Sequence, residues 1–188
     1  MKHFALRTIF GIAFVVTVMV LARAPQSARA ATAEEIDASG TADLAMLYAN
    51  SPAAQALSTE AKGILVFPHI LKAGFLAGAQ FGEGVLRQQG MSVAYYSTAG
   101  ASYGLQIGAQ SYGYALFFMT DAALRYLADS DGWEIGVGPS VVIVDEGVAS
   151  SLTTTTVRQD VYAFIFDQKG LMAGIGLQGN KITRIDKR

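Results

Sequence analysis

Gly100-Ala101-Ser102-Tyr103-Gly104 matches G-x-S-x-G, the spacing that lifts a nucleophilic serine onto a sharp strand-to-helix turn. That chemistry needs a histidine after the serine in chain order. Beyond residue 30 the chain has only His69, which precedes Ser102. A desolvated carboxylate or lysine would be the remaining base. Asp129-Ser130-Asp131-Gly132 has the look of the middle of a calcium loop, but Asp121 and Glu134 stand at the wrong spacing for its other ligands. It reads as a capped turn. Gly136-Val137-Gly138 lacks the third glycine and the strand–helix–strand setting of a dinucleotide fingerprint. With one mature histidine and no cysteine, a zinc site would need mostly carboxylates. The residue types thus predict no catalytic residue, no metal and no cofactor. They leave a binding or structural role.

Composition narrows the partners. The 188 residues are 52% apolar and 15% charged, the profile of a chain with a dense core. Lys2 and Arg7 precede an apolar run from Ile9 to Leu21, and Ala28-Arg29-Ala30 supplies a small-x-small cleavage site. This is the layout of a secretory signal peptide, with 1–30 removed. A run of about 13 residues is short for a membrane-spanning helix, which needs roughly 20. Cleavage removes Lys2, Arg7, Arg23 and Arg29, leaving ten basic against fifteen acidic residues. The resulting acidic surplus argues against a nucleic-acid partner. Export to the periplasm, outer envelope or medium is the expected localisation.

The elements that must position any site are organised around Ala61 to Leu86. Gly63-Ile64-Leu65-Val66-Phe67, closed by Pro68, reads as a short strand. A glycine ladder follows at Gly74, Gly78, Gly82 and Gly84. On a strand, alternate side chains share a face. The even positions are then nearly bare, while Phe75, Ala77, Ala79 and Phe81 line the other face. Glycines this dense in a strand imply close approach of another backbone or sharp bending of the sheet. The segment 74–80 is echoed as Gly104-Leu105-Gln106-Ile107-Gly108-Ala109-Gln110, and more weakly from Gly170 to Gly174.

Residues 31–60 read as helical. Ile36, Leu44, Leu47 and Tyr48 lie opposite Glu34, Glu35, Asp37 and Asp43, Gly40 is a potential break, and Ser51-Pro52 starts a second short helix. Packing on the sheet accounts for this acidic amphipathic helix better than lying on a membrane. Further strands are expected at Met91–Ser97, Ala101–Met119, Trp133–Val144, Thr153–Phe166, Gly170–Leu177 and Lys181–Ile185. Thr120 caps a short helix near 120–128. The expected fold is α+β: a single domain at 61–188, with a mainly antiparallel, strongly curved Gly-rich sheet or partial barrel behind N-terminal helices.

Ala61-Lys62-Gly63-Ile64-Leu65-Val66-Phe67-Pro68, Lys72-Ala73-Gly74-Phe75, the run from Ala101 to Gln110, Gly132 to Gly138 and Lys169 to Gly174 together resemble the SYLF-domain family, in the family's order. The resemblance implies a lipid-binding module, with phosphoinositides as notable ligands and actin as a partner of yeast members. The basic amphipathic helix of the phosphoinositide binders has no counterpart here, since no basic residue lies between Ala30 and Lys62. On this reading Lys62, Lys72, Lys169, Lys181 and Arg184 form a basic rim for anionic head groups, provided barrel closure gathers them. The alternative is an envelope structural or interaction protein with an envelope or host partner, using the alternation at Thr153–Thr156 as an open edge.

Overall fold

The computed structural model describes residues 30–144, 159–170 and 176–187, apart from the side chains of residues 75, 76, 102–107 and 170. The expected signal peptide and Thr153–Thr156 lie outside the described residues, as does most of the strand expected at Gly170–Leu177. One unit begins at Ala31. Its elements are α1 (Ala33–Asn50), α2 (Pro52–Ser58), β1 (Gly63–Gln88), β2 (Met91–Phe118), α3 (Asp121–Asp129), β3 (Trp133–Glu134), β4 (Val141–Ile143), β5 (Val161–Gly170) and β6 (Lys181–Ile185).

The fold is α+β, and its sheet is curled into a half-barrel. The frame is one long antiparallel hairpin, β1–β2, closed by a turn at Gln89 and Gly90. Both turn residues have positive φ (52° and 80°), as a two-residue turn matched to strand twist requires. On its other edge β2 carries β5 along residues 110–118 and β6 along residues 95–99. β4 adds to β5 in parallel, and β3 adds to β6. The separate strands expected at 91–97 and 101–119 are therefore one continuous strand. Pro68 does not end the first strand: it sits in a register shift between Phe67 and Ile70, where a missing N–H costs no ladder bond.

The glycine ladder is strand, and the geometry shows why it is bare. β1 curls until its first half lies against its second. A Cβ on Gly84 would stand 2.4 Å from the Val66 carbonyl oxygen, and one on Gly82 would stand 2.6 Å from the His69 carbonyl oxygen. At the bend itself, a Cβ on Gly74 would fall 2.4 Å from the Gly78 Cα. Opposite the bend β2 is longer. Between the pairs Phe75↔Ile107 and Ala77↔Tyr103, β1 advances two residues and β2 four.

Two apolar clusters occupy the two faces of the curled sheet. Inside lie Leu65, Phe67, Ile70, Tyr112, Tyr114, Leu116 and Phe118, closed by Ala123 and Leu127 of α3 and by Trp133. Outside, α1 and α2 cover Val66, Val85, Ala115, Phe117 and Phe164. α1 starts with a reciprocal capping box between Thr32 and Glu35. It runs unbroken through Gly40, whose missing side chain lets the helix settle on Val66 and Val85. Arg87 donates to the Asp37 carbonyl (2.9 Å), and Ser92 and Tyr95 donate to the Asp37 carboxylate (2.8 and 2.9 Å), clamping α1 to the hairpin. No described helix is long and apolar enough to cross a membrane.

Gly84→Ala places a methyl against backbone that cannot yield, and should lower unfolding stability in urea by about 3 kcal/mol. Gly176→Ala meets open space and should stay within about 0.5 kcal/mol. Equal effects at the two positions would refute the self-contact of β1.

Candidate functional site

The five basic residues expected to form one rim do not meet. Lys62 stands at the far end of the ladder, its backbone N–H bonded to the Phe118 carbonyl. Lys72 pairs with Gln110, eight residues away along β2, or roughly 26 Å of strand. Arg184 lies opposite Tyr96 on the inner face of β6, while Lys181 lies opposite Ala99 on the outer face. Three residues separate the two on one strand, and that odd spacing turns them to opposite sides. Lys169 lies opposite Ser111, also on the outer face, and is ion-paired to Asp167 at 2.9 Å.

The register sorts these residues into two sites. The first is outside, around the bend of β1. Leu71 (61% exposed) and Phe81 (54% exposed) flank the bend, with Ala73, Ala77 and Ala79 between them and Ala99, Ala101 and Ala109 beside them on β2, all exposed. No residue of β2 is charged. Two cross-strand rows end this patch with a cation: Leu71–Ser111–Lys169 on one side and Phe81–Ala99–Lys181 on the other. Each lysine is two strand spacings from its apolar partner, about 10 Å.

The second is inside, at the same end of the half-barrel. Lys72, Gln80, Gln110 and Asn180 are all buried to nine-tenths or more. The Tyr112 hydroxyl donates to Gln80 Oε1 at 2.8 Å, and Gln80 Nε2 donates to Asn180 Oδ1. These groups cap the apolar interior with a polar layer. Sequence reasoning placed Lys72 on a basic rim because, with Lys62, it flanks the first expected strand. Its even position, shared with the ladder glycines, was the available signal. The layer's glutamines are also legible in retrospect, because Gln80 and Gln110 are equivalent residues of the internal echo.

The other motifs take structural places. Ser102 lies mid-strand, opposite Gly78, and not on a strand-to-helix turn. His69 is exposed at the register shift near Pro68. Asp129 to Gly132 ends α3 and turns the chain into β3, with Gly132 at φ 124°. Val137 accepts the Trp133 indole N–H at 2.9 Å. Among the described residues, no group of three or more His, Asp or Glu is placed to hold a metal ion. A groove of about 920 Å³ runs between α1 and β5, lined by Asp43, Met46 and Phe166 among others. Burial raises the Asp43 carboxyl above its usual range there.

Burial also pushes the phenol of Tyr112 up to about 12, and that of Tyr114, which donates to Thr98 Oγ1 at 2.8 Å, upward as well. Unfolded tyrosine ionises near 10, so the folded state favours the neutral phenols. Their contribution to stability is intact below about pH 10 and is lost as pH climbs towards 12. Phenolate absorbance from the buried tyrosines should therefore appear together with loss of near-ultraviolet circular dichroism. Full ionisation of all eight tyrosines near pH 10 in a still-folded chain would contradict the buried placement.

The family model described as Ysc84: Las17-binding protein actin regulator matches residues 99–187. That stretch holds most of β2, α3 and every later strand among the described residues. No curated protein matches the chain. Residues 99–187 thus carry the domain of the Ysc84, or SYLF, family.

Proposed function

We propose that this protein is an exported, non-enzymatic lipid-binding module that docks on anionic membrane surfaces through the bend of its long hairpin. The observation that carries this reading is the pairing of an exposed, uncharged apolar patch with a lysine at each end, Lys169 and Lys181. Leu71 and Phe81 supply apolar area to bury between acyl chains, and the lysines meet head-group phosphates. The lipid association of the SYLF family supports the same reading. The sequence of residues 1–30 supports export to the periplasm, the outer envelope or the medium.

The family description names a Las17-binding actin regulator. The basic amphipathic helix of the family's phosphoinositide binders has no counterpart in α1, which carries Glu34, Glu35, Asp37 and Asp43 and no Lys or Arg. Anionic phospholipid in general is therefore the better-supported ligand than phosphoinositide in particular. A protein-docking alternative rests on β4, an edge strand among the described residues, with Ile143 exposed.

Protein spanning residues 31–188 should co-sediment with vesicles of phosphatidylglycerol and phosphatidylcholine, and less so as salt rises. Burying two half-exposed apolar side chains contributes about 1 kcal/mol each, so Leu71→Asp with Phe81→Asp should weaken binding at least 30-fold. Lys169→Gln and Lys181→Gln should each cost about fivefold, from roughly 1 kcal/mol per surface cation. Equal recovery with neutral and anionic vesicles, or full binding by the double Asp variant, would reject membrane docking through the bend. Protein partners recovered from envelope extract by that same variant would favour the β4 edge instead.

A further inference from the structure

The groove between α1 and β5 is left unused by the membrane reading. One wall is α1 and the start of α2, with Asp43, Met46 and Pro52; the other is β4 and β5. Five consecutive residues of β5, 164–168, line it. Neighbouring residues of a strand point to opposite faces. Phe164 and Phe166 pack with the outer cluster, and Ile165 packs with the inner one. A groove that touches both sets runs along the edge of the strand, not over one face.

That edge is open. β4 follows β5 only as far as Ala163, whose carbonyl accepts from the Val144 N–H at 2.8 Å. The Val161 N–H points the same way, to the Ser140 carbonyl at 3.0 Å. By alternation the N–H and C=O of Ile165 face this edge too. Among the described residues, no strand pairs with it beyond Ala163. The run stops at Asp167, whose φ of 50° belongs to the bulge between the pairs Gly113↔Phe166 and Ser111↔Lys169.

The groove also has a charge to satisfy. Its lining is mainly apolar, with two carboxylates and no Lys, Arg or His. Asp167 is ion-paired at 2.9 Å to Lys169, which lies outside the groove. Asp43 has no such partner. His69 and Lys169 act on it from a distance, yet neither forms an ion pair with it, and no described residue donates it a hydrogen bond. Carboxylates that lose water without gaining a partner are costly.

Each feature specifies part of an occupant. An open strand edge takes another extended backbone, a half-buried carboxylate takes a cation, and apolar walls take apolar side chains. We propose that this groove binds an extended peptide of a partner protein, about four residues long, that adds to β5 at Ile165. It sets one lysine or arginine, flanked by apolar residues, against Asp43. This binding is separate from membrane docking and does not rest on it.

The test uses the chain spanning 31–188 and three fluorescein-labelled, acetylated hexapeptides. They are valine-rich and identical except for lysine, norleucine or glutamate at one central position. By fluorescence anisotropy, the lysine probe should bind about tenfold tighter than the glutamate probe or better. Asp43→Asn should bring the lysine and norleucine probes within about twofold of each other. Met46→Lys puts a cation one helical turn from Asp43, and should weaken the lysine probe about tenfold. It decides the matter should Asp43→Asn not fold. Methylating the backbone nitrogens along one edge of the lysine probe should abolish binding, and methylating the other edge should not.

No binding of the lysine probe, equal binding of the glutamate probe, a lysine preference that survives in both variants, or full binding by both methylated probes would overturn the proposal. Two further outcomes would overturn it by naming another occupant. Decylamine bound through Asp43 where the peptides do not bind would assign the groove to an aliphatic amine. Self-association lost in Met46→Lys would assign it to a second copy of this chain. The Leu71→Asp, Phe81→Asp variant keeps the lysine preference even where it has lost all vesicle binding. Failure of the bend and failure of the groove are therefore distinguishable.

Discussion

The whole structure depends on one strand lying against itself. β1 is too long to stay flat within a small domain, and it curls until Val66 and His69 carbonyls press on the positions of Gly84 and Gly82. Neither position has room for a methyl group. The self-contact fixes everything that follows. It closes an interior for Tyr112, Tyr114 and Phe118, and it presents Val66 and Val85 together to α1. It also pushes the bend at 74–78 outward, where apolar side chains remain exposed.

Much of this was legible in the sequence. Glycines at even positions, with aromatic and small residues at odd ones, announced a curved strand with one bare face. Two punctuation signals misled, for physical reasons. Pro68 looked like a terminator, but a bulge tolerates a residue without an N–H. Gly40 looked like a helix break, but an interior glycine also permits close helix–sheet approach, and tertiary packing outweighs its intrinsic cost of roughly 1 kcal/mol. The join of residues 91–118 into one strand was hidden at Thr98-Ala99-Gly100, where the pattern of the first expected strand stops short of the second glycine ladder.

The site was less legible than the fold. Spacing along the chain does not reveal which face a lysine takes once bulges shift the register. The shift between Phe67 and Ile70 sends Lys72 inward and Leu71 outward. The cations that do share a surface, Lys169 and Lys181, are related through β2 by pairings that no local pattern announces. An uncharged β2 was visible from the start, yet it suits a buried strand and a membrane-facing one equally. Only exposure at Leu71, Phe81 and their alanine neighbours distinguishes the two.

The chain has no cysteine, so a single introduced thiol reports on one position alone. An environment-sensitive fluorophore placed through Phe81→Cys probes the bend, and one placed through Met46→Cys probes exposed α1. On adding anionic vesicles, the account predicts a blue shift and protection from an aqueous quencher at 81, with little change at 46. Protection at 46 with none at 81 would contradict it, by turning the helical face and not the bend towards the membrane.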